Sequence, residues 1–305
     1  MKIDRLVFFN HYNNGDCFIN REYVRDIISK LDAREVYYAH KNHTSITQDL
    51  SVTHISLADL PGQVHQGLRI AYDPGSSTMY VNTWVGATVP KYFNWGQHAN
   101  FVILSRIWQD YYQELNLTVN GDYAEYLPNI SFDSYDLEFV DRWIDLSRSV
   151  PVILICNGHQ QSGQSRLGDM STVLKNLAHE FPDRIFLSCH RLNLTESNVF
   201  YTDDIFGSST GNLPHISYIS QHADLIVGKN SGPFTFAHTQ TNLNNADKTF
   251  LCFSDDRTSC LTGQGQYWAT TLFSDAVEDT QVTETIVKTM ATKNKSTEKQ
   301  SIRTV

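Results

Sequence analysis

Cysteine is scarce and unpatterned in this chain. Its five cysteines, Cys17, Cys156, Cys189, Cys252 and Cys260, are odd in number, widely spaced and form no CxxC. Such spacing offers neither a disulfide framework nor a structural zinc site, and it reads as reduced thiols in a cytosolic-type compartment. Long hydrophobic runs are missing too: nothing approaches the roughly 20 apolar residues that span a bilayer. Met1 to Arg5 lead into a strand-like run rather than a long apolar region, so no signal peptide is read and a cytoplasmic location is expected. Basic residues are outnumbered, 24 Lys and Arg against 33 Asp and Glu, for a formal charge of −9. A surface of that sign does not grip nucleic acid nonspecifically, although a local basic pocket stays open. Walker A, GxGxxG after the first strand and GxSxG are all absent, which removes the simplest kinase, dehydrogenase and hydrolase readings. No DxD follows an apolar strand, and the adjacent acids Asp203-Asp204 and Asp255-Asp256 read as solvated loops. Neither a metal nor a cofactor is therefore expected.

What is present is an ordinary apolar mass arranged in alternating runs. The 305 residues are 41% hydrophobic and 19% charged, enough for one large or two medium domains. "IDRLVFFN" reads as a buried strand, "CFINREYVRDIISKL" as a helix, "EVYYAH" and "MYVNTWVGA" as strands and "ANFVILSRIWQDYYQELNL" as a long amphipathic helix. The order starts afresh after about residue 150. There "VPVILIC", "RIFLSCH", "ADLIVG" and "KTFLCF" are near-continuous apolar strands, with "MSTVLKNLAHEF" and "HISYISQ" as helices between them. Continuous apolar strands imply a parallel sheet covered on both faces. The chain thus predicts an α/β protein of two Rossmann-like domains facing a cleft, 1–147 and 148–290, joined near Arg142 to Val150. Residues 291–305 are polar and basic and are expected as a disordered tail.

In open parallel sheets, ligands bind beyond the carboxyl ends of the strands. Four polar loops hold that position: "NHYNNGD" (Asn10–Asp16), "NGHQQSGQS" (Asn157–Ser165), "CHRLN" (Cys189–Asn193) and "KNSGPF" (Lys229–Phe234). In the last, Gly232 allows close backbone approach and Pro233 suits the first turn of a helix. The free N–H groups there, with the hydroxyls of Ser231 and Thr235, would suit a phosphate. Equally, Asn230 or Ser231 could merely cap that helix. The first loop carries the same pair of readings. Asp16 is either the N-cap after a turn at Gly15 or a carboxylate at the cleft mouth, placed as a general base. His11 joins it only if both face the cleft. Tryptophans such as Trp84, Trp95 and Trp108 read first as packing, but "NTWVGATVPKYFNWGQH" has the irregular aromatic character that suits an acceptor.

With these two loops in view, the chain resembles the GT-B glycosyltransferases, and within them the heptosyltransferase-like group. The resemblance rests on "NNGDCFINREYV", where a Gly-Asp dipeptide opens the first helix, and on "ADLIVGKNSGPFTFAHT", similar to that group's "ADLVVGxDSGPxHLA". It implies metal-independent transfer of a sugar from a nucleotide-sugar donor to a glycan or lipid-linked saccharide acceptor, and leaves room for peripheral membrane contact. Asp16 would be the base, with His11 beside it. Asn14, Gly15, Asn157, Gln160, Gln161, Ser162, His190, Asn230, Ser231, Gly232, Pro233, Phe234 and Thr235 would line the donor, and Arg166 or Arg191 would add a cation. Two departures stand out. Asn230 replaces the group's Asp and Thr235 its His, which keeps a degenerate binding module in play, alongside a sugar-nucleotide epimerase on the same scaffold.

Overall fold

The computed structural model describes residues 3–41, 44–64, 67–84, 101–157, 167–207, 212–229, 231–254 and 267–302. The first half holds strands β1 (Arg5–Asn10), β2 (Glu35–His40), β3 (Thr53–Ile55), β4 (Ile70–Asp73) and β5 (Thr78–Asn82). Its helices are α1 (Asn14–Ile19), α2 (Arg21–Lys30) and α3 (Phe101–Glu114). The strands form one sheet in the order β3-β2-β1-β5-β4, parallel except for β4, which pairs antiparallel with β5. β3 and β4 were not legible as strands: they are edge strands of 3 and 4 residues without a continuous apolar run.

The second half follows with α4 (Glu138–Ser147), β6 (Val152–Cys156), α5 (Ser171–Glu180), β7 (Ile185–Ser188), β8 (Val199–Tyr201), α6 (Thr202–Phe206) and α7 (Leu213–Ile219). It continues through β9 (Leu225–Lys229), α8 (Gly232–Phe236), α9 (Gln240–Leu243), β10 (Thr249–Phe253), β11 (Thr270–Ser274) and α10 (Asp279–Ile302). All six strands run parallel, ordered β11-β10-β9-β6-β7-β8. Strands β6, β9 and β10 are buried along their whole length, as their apolar runs require when helices cover both faces.

Side chains alternate between the two faces of this sheet. On β9, Leu225 and Val227 join the core beneath α5 and α10, while Ile226 points the other way into a core that also holds Phe8, Phe18 and Trp108 of the first half. The two halves therefore share one continuous apolar cluster. α4 packs against α6 and α7 of the second half, with Val140 and Ile144 buried. Residues 291–302, expected as a disordered tail, continue α10 instead; the stretch has no Gly or Pro to stop a helix. Among the described residues, no helix is long and apolar enough to cross a membrane.

Strand order fixes where ligands can enter. The first sheet grows outward from β1 through β2 to β3, and on the other side from β5 to β4. The second grows from β6 through β7 to β8 one way, and from β9 through β10 to β11 the other. Each sheet thus reverses direction once, between β1 and β5 and between β6 and β9. Such reversals open a crevice at the carboxyl ends of the strands.

Candidate functional site

At the β1/β5 crevice the chain builds a closed hydrogen-bond network. Thr83, just past β5, donates its N–H to the Phe9 carbonyl at 2.9 Å, and its hydroxyl meets the Tyr38 hydroxyl at 2.6 Å. The Asn10 amide reaches the same hydroxyl at 3.3 Å and its oxygen accepts the Tyr12 N–H at 2.8 Å. Asn20, fully buried at the joint of α1 and α2, donates to the carbonyls of Asp16 and Thr83 at 2.8 and 2.9 Å, and accepts Trp108 Nε1–H at 2.7 Å. This ties α1 to β5 and α3, and so fixes the turn that carries Asp16. Above it His40 Nε2 donates to the Tyr12 carbonyl at 3.2 Å, and Tyr12 stacks on Trp84 with ring centroids 3.5 Å apart. Burial pushes the His40 pKa down to about 4, so the ring is neutral. Burial likewise pushes the Cys17 thiol up to about 12, which removes it as a nucleophile.

Asp16 is not the helix cap. The N-cap of α1 is Asn13, whose carbonyl accepts the Asp16 N–H at 3.1 Å, and Asp16 stands half-buried in the first turn. His11 lies at the same rim, edge-on to Phe9 at 5.5 Å.

Across the cleft the opening of α8 comes to meet α1. Phe18 stacks on Phe236 at 4.4 Å, and a Cβ placed on Gly15 would lie 3.5 Å from Thr235 Cγ2. Asn14-Gly15-Asp16 and Ser231-to-Thr235, more than two hundred residues apart in sequence, are thus brought together. Gly228 makes this possible within the second half. A Cβ there would sit 2.7 Å from both Cys156 Cβ and Phe234 Cδ2, so only glycine lets α8 press onto β9. Among the described residues Gly232 has no such neighbour: a Cβ would meet only Leu213, at 3.7 Å. The close approach read at Gly232 is, inside the protein, a property of Gly228.

The β6/β9 rim is less complete. Ser231 occupies the N-cap position of α8 but makes no capping hydrogen bond; its hydroxyl is buried and has no partner among the described residues. Simple capping therefore does not explain it. Asn157 is fully engaged: Oδ1 accepts Ser188 Oγ and His190 N–H, both at 3.0 Å, and Nδ2 donates to the Asp169 carbonyl at 3.2 Å. It holds the loops after β6 and β7 together and positions His190 rather than offering its own amide. Hydrogen bonds from Ser171, the N–H at 2.9 Å among them, hold the Asp169 carboxylate below its usual range, helped by Lys229 and His190.

Two expected residues belong elsewhere. Phe234 is completely buried against Gly228, His238 and Phe250, because its ring fills the gap between α8 and the sheet, so it cannot touch a nucleotide. Arg191 pairs with Asp204 and lies over the Tyr201 ring at 4.7 Å, so its guanidinium is already engaged within the second half. Pro233 takes the first turn of α8 as expected, and Thr235 is buried at the contact with Gly15. Gln160, Gln161, Ser162, Arg166 and Asn230 lie outside the described residues, as do residues 85–100 of the aromatic loop. Among the described residues, no three His, Cys, Asp or Glu side chains gather as a metal site. Lys229 was missed, its only sequence signal being a charge at the end of an apolar strand. The Asn20–Thr83–Trp108 network was missed because its members stand 63 and 88 residues apart.

No protein-family model matches the sequence, and no curated protein matches it either. Solved structures do match it in fold. A glycosyl transferase family 9 protein from Veillonella parvula superposes with a TM-score of 0.52 at 9% identity, covering 94% of this chain and 92% of that one. The E. coli heptosyltransferase WaaC with ADP gives 0.51 at 11% identity, covering 95% and 99%. UDP-GlcNAc 2-epimerase from Neisseria meningitidis, bound to UDP-GlcNAc, gives 0.51 at 10% identity, covering 94% and 91%. The fold of this chain is GT-B, similar to the heptosyltransferase-like structures.

Proposed function

We propose that the protein is a glycosyltransferase that moves a sugar from a nucleoside diphosphate donor to a hydroxyl of a saccharide acceptor. The observation that supports this most is the meeting of α1 and α8: the turn carrying Asp16 faces the turn carrying Ser231, and among the described residues nothing in the packing demands glycine at position 232. In this reading the diphosphate lies at the β6/β9 crevice, where Ser231 Oγ and the main chain at Gly232 donate to it. The acceptor lies on the β1/β5 side, near Asp16 and the Tyr12–Trp84 stack. The Asp16 carboxylate takes the acceptor's hydroxyl proton as that oxygen bonds to the anomeric carbon. The bond from that carbon to the diphosphate breaks, and its electron pair leaves on the diphosphate oxygen. Donors already fixed by the fold meet the charge as it develops, which is where preorganisation lowers a barrier.

A second reading is supported by the likeness to UDP-GlcNAc 2-epimerase, which equals that to the heptosyltransferase. Acceptor dependence separates the two. The test is a thermal-shift screen of UDP-, GDP-, ADP-, CMP- and dTDP-sugars with and without EDTA, followed by an assay of nucleotide release with mixed glycan acceptors. A ligand at 100 times its Kd adds roughly 2.7 kcal/mol of stability, enough to read as a shift in Tm. A transferase gives an EDTA-insensitive shift with one donor class and acceptor-dependent release. Release or sugar conversion without acceptor contradicts it in favour of an epimerase, and no shift with any donor points to a degenerate module.

A further inference from the structure

The second half contains two buried lysines that differ in one respect. Lys248 gives its ammonium to the carbonyls of Ser220, Gln221 and Ala223, at 3.0, 2.5 and 2.5 Å. Lys229 is almost as buried, 8% exposed against 5%, yet among the described residues its ammonium has no hydrogen-bond acceptor and no carboxylate at ion-pair distance. The only charge it senses is that of Asp169, whose carboxylate already accepts the Ser171 N–H. Lys229 is buried as a whole residue, but its ammonium is not one of the fully buried, unpartnered side-chain nitrogens. A lysine covered along its stem with its charge kept at the crevice is placed to meet an anion. Burial does lower the Lys229 pKa from the ordinary lysine value.

Position sharpens the anomaly. Lys229 is the last residue of β9, so it stands at the β6/β9 crevice, on the face it shares with Leu225 and Val227 and beside Asp169. Two residues on, Ser231 presents a second buried donor without an acceptor. The residue between them is Asn230, uncharged where the resembled segment has Asp, so the sequence supplies no adjacent counter-charge. Among the described residues, a lysine with no ion pair and a buried hydroxyl with no hydrogen-bond partner flank one residue at the point where strand order reverses.

We infer that Lys229 is the residue that neutralises the diphosphate of the donor, acting with the Ser231 hydroxyl, and that it restricts the site to donors with an anionic leaving group. This rests on the transferase reading and extends it to a residue outside the matched positions of the motif. It accounts for a lysine at the crevice with no hydrogen bond or ion pair among the described residues, for the lost negative charge at Asn230, and for a hydroxyl at an N-cap that makes no capping bond.

The experiment is calorimetric titration of the full chain with ADP, UDP, GDP, CDP and dTDP and with the matching nucleosides, on the wild type, Lys229→Met and Lys229→Arg. For the diphosphate that binds, Lys229→Met is expected to lose tenfold or more in affinity, while nucleoside affinity stays within twofold. Lys229→Arg should keep most of the diphosphate affinity. The ligand-free Tm of Lys229→Met should hold, since among the described residues no hydrogen bond or ion pair of Lys229 is lost. Wild-type diphosphate affinity should also fall with added salt while nucleoside affinity does not, a readout that needs no variant. Equal diphosphate affinity in Lys229→Met, or a salt-independent wild type, overturns the role of Lys229 and leaves the transferase reading standing. A wild type that binds none of the five diphosphates overturns that reading itself.

Discussion

The two rims that face one another across the cleft are finished to different degrees. On the first, Asn10, Asn20, Thr83, Tyr38 and Trp108 close on one another, and the turn holding Asp16 is anchored through its own backbone. On the second, among the described residues, Ser231 Oγ has no partner and Lys229 no ion pair; behind them His238 is fully buried with neither ring nitrogen hydrogen-bonded. A satisfied polar network rigidifies, whereas unsatisfied buried groups cost free energy unless something else meets them. In the proposed reading this difference divides the roles: the first rim positions a reacting group, and the second receives an anion.

The sharpest way to break this division is Asp16→Asn. It should lower turnover by about 10²–10⁴-fold, the usual contribution of a general base, while leaving nucleoside diphosphate affinity unchanged. Loss of binding in place of turnover would move Asp16 to the donor side.

Acid should expose the second rim first. Burial holds the His238 pKa at about 3, against 6.5 for an ordinary histidine. The unfolded chain therefore takes up a proton below about pH 6.5 that the folded chain refuses until about pH 3, so stability is complete above that window and falls as pH drops through it. For a fully buried ring the loss is several kcal/mol, with His40 adding in the same direction. Denaturant titrations from pH 7 to 4 should show the slope, and His238→Leu should flatten it.

Opening the first network is the next test. Asn20→Ala removes three hydrogen bonds and strands the Trp108 indole N–H. A loss of about 2–4 kcal/mol is expected by urea unfolding, because each buried group left unsatisfied costs about 1–3 kcal/mol. The smallest effect belongs to Ser231→Ala. Without ligand it should change stability by less than about 0.5 kcal/mol, since its hydroxyl has no partner among the described residues. Diphosphate affinity should fall by about 1 kcal/mol, the worth of a typical hydrogen bond.

The same contrast governs what could be read from sequence. β1, β6, β9 and β10 announce themselves because strands buried on both faces must be apolar throughout, and Gly15-Asp16 and Ser231-Gly232-Pro233 mark the turns that follow two of them. The edge strands β3, β4 and β8 do not, being only 3 to 4 residues long. Phe234 lay inside a matched motif, yet its ring belongs to the core, because a motif preserves packing as well as contact with ligand. The positioning network was invisible since a buried Asn or Thr gains meaning only when its distant partner is known. Lys229 was legible only as the first residue of the polar loop Lys229–Phe234; its closeness to Asp169 appears only in the fold.

The most direct measurement is a structure of the full chain with the nucleoside diphosphate that stabilises it. A diphosphate at the end of β9, hydrogen-bonded to Ser231 Oγ and Lys229 Nζ with the Asp16 carboxylate facing the vacated sugar position, is the expected result. A nucleotide seated away from the β6/β9 crevice, with Ser231 and Lys229 still unpartnered, would contradict it.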